Sequence, residues 1–147
     1  MIKNIKNKKI IAIIPARGNS KGITKKNIVN FLGKPLLAWS IEDAKNSKLI
    51  DDVYVSTDDK AIAEVSENYG AKAIWRPKEI SGDFSPSEEA LKHAVNEIYK
   101  KNPQKIDYIV FLQATSPLRE TEDIDNAIKK IITENLSLSR NSHMYLK

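Results

Sequence analysis

The sequence predicts an α/β fold in which helices cover both faces of a mostly parallel sheet. Short apolar runs alternate four times with segments of helical periodicity, and no internal repeat or low-complexity linker interrupts them. This alternation is typical of βαβ units, in which a helix connects each strand to a parallel neighbour. The length of 147 residues is that of about one compact domain.

The predicted strands are short runs rich in apolar and β-branched residues. The first of them, KIIAIIPA, has the unbroken apolar character of a strand that is buried on both faces. The next, DVYVST, is followed directly by two aspartates. The four strands are predicted at residues 9–16, 52–57, 71–75 and 106–112.

The predicted helices carry apolar residues at the 3.6-residue period. Pro35 stands at a favourable N-terminal position directly before one helix, and Gly70 follows another helix at the C′ position. A third helix begins at Ser85, with Pro86 at N1 and Glu88 at N3 of a capping box. The four helices are predicted at residues 36–47, 60–69, from 85 onward, and 121–133.

The composition is ordinary for a protein with a hydrophobic core, at 41% hydrophobic and 29% charged residues. The absence of cysteine excludes disulfides and thiolate chemistry. No apolar run reaches the roughly 18 residues of a membrane helix, and residues 1–9 lack the apolar core of a signal peptide. Four lysines in residues 1–9 supply most of the net charge of +5, so this charge does not indicate nucleic-acid binding. We expect a cytoplasmic protein with neither nucleic acid nor a membrane as partner.

Polar segments follow three of the predicted strands, at residues 17–27, 57–59 and 113–119. Ligands of parallel sheets bind beyond the carboxyl ends of the strands, so we expect these segments to converge on one crevice. The first segment contains Arg17, Lys21, Lys25 and Lys26, two glycines and no acidic residue. Glycines allow backbone amides to approach a phosphate closely, and cations neutralise its charge. The segment therefore predicts a phosphate-binding loop, with a solvated basic loop as the alternative.

Two common nucleotide-binding motifs are absent from this loop. The spacing fits neither G-x-x-x-x-G-K-[ST] of a P-loop nor G-x-G-x-x-G of a dinucleotide-binding fold. The loop block IIPARGNSKGITKKN instead resembles the signature of the acylneuraminate cytidylyltransferases, which make CMP-sialic acids. Three later blocks resemble that family in the same order: VSTDD at 55–59, RPKEISGDFSPS at 76–87 and FLQATSPLR at 111–119.

The resemblance implies a Rossmann-like three-layer sandwich of the nucleotide-diphospho-sugar transferase type. It implies transfer of a cytidylyl group from CTP to a sugar acid, with release of pyrophosphate, in carbohydrate pathways such as lipopolysaccharide or capsule biosynthesis. Arg17, Lys21 and Gln113 would be catalytic. The implied nucleotide-binding residues are Ala16, Arg17, Gly18, Asn19, Ser20, Lys21, Gly22, Lys26, Asn27, Arg76 and Ser87. The implied sugar-acid-binding residues are Gln113, Thr115, Ser116 and Arg119.

Several of these residues have a structural alternative. Arg76 could be an exposed loop charge, and Ser87 could satisfy a free amide in the first helical turn. Gln113 could bond within the fold at the end of its strand. Thr115 and Ser116 could form only a turn with Pro117, which Arg119 would brace. Asp58 could reach the nucleotide, but the pattern favours a cap on the next helix.

Two further patterns are interpreted as structural. Asp123 and Asp125 resemble a D-x-D metal motif, but residues i and i+2 of a helix point in different directions, and acids are favoured in a first turn. His93 and His143 show no spacing typical of a ligand pair. No metal ligand is therefore predicted within this chain.

The chain departs from the family after Ile132. The resemblance implies Mg²⁺ held by a late aspartate pair and a homodimer formed through a later segment, and neither is found here. Residues 1–133 are predicted to be the N-terminal portion of the domain, and 134–147 an irregular tail that does not match. We expect a truncated chain with weak activity at best. Legionaminate, pseudaminate or 3-deoxy-manno-octulosonate as substrate, or a non-catalytic nucleotide-binding remnant, remain alternatives.

Overall fold

The sheet strands occupy four of the predicted segments and one that was not predicted. The computed structural model describes residues 7–20, 23–24, 26–77, 87–114, 121–134 and 143–146. The five strands of the main sheet are β1 (Ile10–Pro15), β6 (Asp52–Thr57), β7 (Lys72–Trp75), β8 (Tyr108–Leu112) and β9 (His143–Leu146). The helices are α1 (Leu36–Asn46), α2 (Lys60–Asn68), α3 (Ser87–Lys101) and α4 (Thr121–Glu134).

Four short strands lie between β1 and α1. Strand β2 (Asn19–Ser20) pairs antiparallel with β3 (Ile23–Thr24), and β4 (Asn30–Phe31) pairs with β5 (Lys34–Pro35). A 3₁₀ turn at Lys26–Ile28 separates the two hairpins. Leu32 and Gly33 connect β4 to β5 with φ values of 51° and 96°, the left-handed pair that closes a tight two-residue hairpin.

The main sheet is parallel throughout and has the strand order β7-β6-β1-β8-β9. Strand β1 lies at its centre, where Ile13 is paired with Tyr54 of β6 and with Phe111 of β8. This position explains the unbroken apolar run, because a central strand is covered on both faces. The α/β prediction with a parallel sheet is confirmed.

Helices cover both faces of the sheet. On one face, Leu37 and Ile41 of α1, Ile62 of α2 and Ile124 and Ile128 of α4 pack in one buried cluster. On the other face, α3 packs Leu91, Ala94 and Ile98 against the remaining side chains of β1, β7 and β8. The three-layer arrangement is therefore confirmed, and no helix within the described ranges is long and apolar enough to cross a membrane.

The crossover through α4 differs in hand from the others. The β1-α1-β6 and β6-α2-β7 units move across the sheet in one direction, with their helices on one face. The β7-α3-β8 unit moves in the opposite direction with its helix on the other face, which gives the same hand. The β8-α4-β9 unit continues in that direction with α4 on the face of α1, so its hand is opposite. Crossovers of one parallel sheet are right-handed in about 98% of cases, so β9 joins the sheet edge by the less common route.

One sequence expectation is corrected here. Residues 143–146 were expected to belong to an irregular tail, but they form β9, which pairs with β8 from Ile109↔His143 to Leu112↔Leu146. The backbone groups of an edge strand can pair with any extended segment, and four residues are too few for a readable pattern. The predicted helix start after Pro35 is confirmed, since Pro35 is the N-cap of α1 and is still extended and paired with Asn30 in the β4–β5 hairpin.

The helix-stop prediction at Gly70 is confirmed, since Gly70 follows the C-cap Tyr69 of α2 with a φ of 93°. Ser85 and Pro86 of the predicted capping box lie outside the described residues, and α3 is described from Ser87 onward. The proposed boundary of the domain at residue 133 stays a prediction.

Candidate functional site

The candidate site lies at the carboxyl ends of the central strands. The chain leaves β1 towards β6 on one side of the sheet, whereas β8 lies on the other side of β1. Such a divergence opens a crevice in open α/β sheets, and ligands bind there. Strands β1, β6, β7 and β8 are parallel, so all four have their carboxyl ends at this edge of the sheet.

Backbone hydrogen bonds bring three of these segments together. The Ala16 amide donates to the Ser56 carbonyl at 2.8 Å, which extends the pairing of β1 and β6 by one residue. The Arg76 amide donates to the Thr57 carbonyl, also at 2.8 Å. The predicted convergence of the 17–27 and 57–59 segments is observed in the bond from the Gly18 amide to Asp58, and Arg76 lies beside them. Residues 115–119 of the third predicted segment lie outside the described residues.

Gly18 is held directly against the turn between β6 and α2. Its amide donates to Oδ1 of Asp58 at 2.8 Å. A Cβ atom on Gly18 would lie 2.8 Å from Cβ and 2.9 Å from Oδ2 of Asp59, closer than side chains pack. Close approach therefore requires glycine here. The amide that the sequence suggested for a phosphate is bonded to a carboxylate instead.

The two adjacent aspartates after β6 have different partners. Asp59 is the N-cap of α2, and its Oδ1 accepts a hydrogen bond from the Ile62 amide at 3.0 Å. The expectation that Asp58 caps this helix is wrong. The extended backbone at Asp59 places its carboxylate over the first turn, because α2 begins at Lys60. Asp58 is thus left to bond Gly18.

Arg76 is buried, with only 5% of its surface exposed. The alternative of an exposed loop charge is therefore wrong. Its Nε atom is buried and has no hydrogen-bond partner in the structure. Burial lowers the pKa of the guanidinium and the nearby Arg17 lowers it further, whereas the charge of Asp58 raises it. Arg17, Asp58 and Arg76 therefore form one electrostatic cluster.

Asn27 closes the loop that Arg17 opens. Its side chain is buried, and Nδ2 donates to the Arg17 carbonyl at 3.0 Å. Asn27 and the half-buried Lys26 stand in the 3₁₀ turn before the second hairpin. This bond holds the two ends of the loop together across ten residues, which is a structural contribution the sequence did not indicate.

The remaining predicted site residues are placed less completely. Asn19 and Ser20 form β2, so the loop contains a small hairpin. Ser87 is the first residue of α3. The Gln113 carbonyl accepts a 3.4 Å bond from Oγ of the buried Ser40 of α1. The site residues outside the described part of the chain are Lys21, Gly22, Thr115, Ser116 and Arg119.

Sequence reasoning did not single out Ser56. Its side chain is completely buried near the end of β6, and its Oγ has no hydrogen-bond partner among the residues that the structure describes. Ser56 is paired in the ladder with Ile74, two residues before Arg76. The VSTDD block contained Ser56, but an unsatisfied hydroxyl is visible only in the folded structure.

The described residues do not fit a divalent metal. Asp58 and Asp59 are the carboxylates beside the arginines, and each already accepts a backbone amide. Within the described ranges, no group of three or more acidic or histidine side chains is arranged so that it could hold a metal ion. Asp125 accepts bonds from Ser47 Oγ and, at 3.0 Å, from the Lys48 amide, so it is structural as predicted. Nε2 of His93 lies 3.7 Å from Oε1 of Glu97, which is one turn further along α3.

Several known proteins are similar to this chain in sequence or in fold. It is 46% identical over 125 residues to a pseudaminic acid cytidylyltransferase of Campylobacter jejuni, covering 84% of this chain and 53% of that protein. It is 44% identical over 123 residues to an N-acylneuraminate cytidylyltransferase of Escherichia coli, covering 82% of this chain and 28% of that protein.

A solved structure of CMP:2-keto-3-deoxy-manno-octonic acid synthetase complexed with CTP has the same fold. Its TM-score is 0.72 at 24% identity, over 88% of this chain and 49% of that chain. This chain thus spans about half or less of the length of these proteins. The family model for cytidylyltransferases matches residues 11–145, which include the loop at 17–27, Arg76 and all but the last residue of β9. The chain belongs to the cytidylyltransferase family.

Proposed function

We propose that this chain binds CTP and supplies the nucleotide side of a site that activates a sialic-acid-type sugar. The observation that carries the proposal is the cluster of Arg17 and the buried Arg76 at the carboxyl ends of β1 and β7. A buried guanidinium with an unpartnered Nε is costly in the empty protein. A polyphosphate would supply the missing acceptor and the opposite charge.

The reaction is a nucleotidyl transfer. The oxygen of the sugar's anomeric hydroxyl forms a bond to the α-phosphorus of CTP. The bond from that phosphorus to the oxygen bridging to the β-phosphorus breaks, pyrophosphate leaves, and the hydroxyl proton passes to solvent. Negative charge grows on the leaving pyrophosphate, so preorganised cations favour the transition state.

The residue roles in this proposal follow the family resemblance. Arg17 and Lys21 neutralise the triphosphate, and Gln113 orients the sugar acid for attack. Asn27 keeps the loop closed through its bond to the Arg17 carbonyl. The other nucleotide-side residues are Ala16, Gly18, Asn19, Ser20, Gly22, Lys26, Arg76 and Ser87, and the sugar-side residues are Thr115, Ser116 and Arg119.

The substrate class proposed is the nine-carbon sugar acid. The relatives named above act, by their names, on pseudaminic acid and on N-acylneuraminate, at nearly equal identity to this chain. Both sugars, together with legionaminate and 3-deoxy-manno-octulosonate, therefore belong in one substrate panel. No catalytic step is assigned to Mg²⁺, because the described carboxylates do not fit it.

Two measurements test the proposal. Isothermal titration with CTP, UTP and ATP, each with and without Mg²⁺, is expected to show binding that favours CTP. Pyrophosphate release is then measured with the sugar-acid panel. Absence of CTP binding would refute the proposal. Binding without release of pyrophosphate would support the second candidate, a non-catalytic nucleotide-binding module, which the full engagement of Asp58 and Asp59 favours.

A further inference from the structure

We propose that Asp58 is a positioning residue of the nucleotide site and acts as a built-in counter-ion for Arg17 and Arg76 while the site is empty. When the triphosphate binds, its charges take over this role. The inference rests on the proposed function only for the identity of the incoming anion.

The first support is geometric. Oδ1 of Asp58 accepts the Gly18 amide at 2.8 Å, one residue after Arg17. The near-contact between Gly18 and Asp59 shows that the loop lies directly on the turn after β6. Asp58 therefore fixes the position from which Arg17 extends, through a contact between residues 40 positions apart.

The second support is the balance of charge. Arg76 is buried, and its two charged neighbours act in opposite directions: Arg17 lowers its pKa and Asp58 raises it. The loop at residues 17–27 contains no acidic residue, so the compensating charge has to come from another segment. The adjacent acid, Asp59, caps the first turn of α2 through Oδ1, and the carboxylate that raises the pKa of Arg76 is that of Asp58.

The charge of Asp58 is not explained by its hydrogen bond to Gly18 alone. A neutral amide side chain could accept the Gly18 amide equally well, so the hydrogen bond alone does not need a charge. The charges of Arg17 and Arg76 oppose each other and Arg76 is buried, so these two residues do need a negative charge nearby. A bound triphosphate brings several negative charges to the same arginines, and the carboxylate then repels it. By linkage, a group that stabilises the empty site more than the bound one lowers affinity.

The test compares Asp58→Asn with a matched control, Asp51→Asn. Asp51 also accepts an amide of β1, that of Ile10, at 2.8 Å, but at the opposite end of the strand. Asparagine keeps the acceptor and removes the charge at both positions. Melting temperature is measured from low to high NaCl without ligand, and affinity for CTP and for pyrophosphate is measured by titration.

We expect D58N to melt below the wild type at low salt and to recover as salt screens the two arginines. We expect its affinity for CTP and pyrophosphate to rise about fivefold. D51N should show no gain in affinity, and its salt dependence should be smaller than that of D58N, because the charge of Asp51 only adds to that of Asp52 at Lys9. Unchanged or weaker polyanion binding by D58N, or a salt-independent loss of stability, would overturn the counter-ion role.

A double variant keeps the test decisive if D58N does not fold. Because Arg17→Gln removes the charge that opposes that of Arg76, D58N/R17Q should fold and lose the salt dependence. A double variant as unstable as D58N would also contradict the proposal. If the wild type binds neither CTP nor pyrophosphate, the proposed function fails, while the salt arm still decides whether Asp58 is the counter-ion.

Discussion

The two ends of the central strand are built with opposite charge arrangements. At the amino end, Asp52 accepts bonds from Lys9 at 2.8 Å and from Lys72 at 3.4 Å. At the carboxyl end, burial and the charge of Arg17 lower the pKa of Arg76, whereas the charge of Asp58 raises it. The first arrangement pairs one carboxylate with two lysines, whereas the second leaves Arg76 Nε buried without a hydrogen-bond partner among the described residues.

The amino end uses its acids to hold the start of β1. The Lys9 amide donates to Asp107 and the Ile10 amide to Asp51, each at 2.8 Å. At the carboxyl end, by contrast, Arg76 Nε and Ser56 Oγ are buried without partners. Buried polar groups are nearly always satisfied, and exceptions call for a specific reason. The difference fits a stabilising role for one end of β1 and the proposed ligand binding at the other.

The largest expected effect comes from removing one cation from each end. Arg17→Ala should weaken CTP binding by about 100-fold or more, because a charge-assisted contact to phosphate is lost. Its melting temperature should remain near that of the wild type. Lys9→Ala should do the reverse, with unchanged CTP affinity and an unfolding free energy lower by about 0.5–1 kcal/mol. Titration and thermal melts check both, and unaltered CTP affinity in R17A would remove Arg17 from the site.

A substitution at the loop's contact with the β6–α2 turn should affect both properties. Gly18→Ala places a Cβ 2.8 Å from that of Asp59, so the loop has to move. We expect a loss of about 1–3 kcal/mol in stability together with weaker CTP binding. Gly33→Ala is the control: its Cβ would meet nothing within 4 Å, and only the φ of 96° costs energy. Equal CTP affinities in the two variants would show that the contact of Gly18 with the β6–α2 turn does not affect ligand binding.

The amino end should have a pH dependence of its own. Hydrogen bonding to Lys9 lowers the pKa of Asp52, and the bond to Asp52 raises the pKa of Lys9. The stability from this pair is therefore fully present at neutral pH. It is lost in acid as pH falls through the lowered pKa of Asp52, and in alkali as pH rises through the raised pKa of Lys9. Denaturant unfolding of wild type and Asp52→Asn across pH should differ by about 1 kcal/mol at neutrality and converge at both extremes.

The smallest expected effect on folding is that of Ser56→Ala. The Ser56 hydroxyl has no partner, so its removal should change the unfolding free energy by less than about 0.5 kcal/mol or increase it. Ser47→Ala is the contrasting variant, because Ser47 Oγ bonds Asp125 and accepts the Leu49 and Ile50 amides at 3.1 Å each. It should cost about 1–3 kcal/mol. Similar losses in the two variants would mean that Ser56 has a structural partner.

Local patterns predicted most of the secondary structure, because burial repeats at the period of the element that is buried. The apolar run of β1 and the spaced apolar residues of α4 both showed this directly. The patterns failed where the deciding contact was distant or the segment very short. Asp58 and Asp59 are chemically identical neighbours, and only the backbone conformation at Asp59 decides which one caps α2. Strand β9 has four residues and depends on pairing with β8.

The sequence by itself determined the α/β class, the basic loop after the first strand and the blocks that resemble the cytidylyltransferases. The tertiary structure decided the strand order, the burial of Arg76, the bond from Gly18 to Asp58 and the unpartnered hydroxyl of Ser56. The physical reason is the separation along the chain over which each kind of interaction acts. Periodicity and capping act over a few residues, whereas the charge balance of the site depends on side chains that are brought together from separate strands only when the sheet has formed.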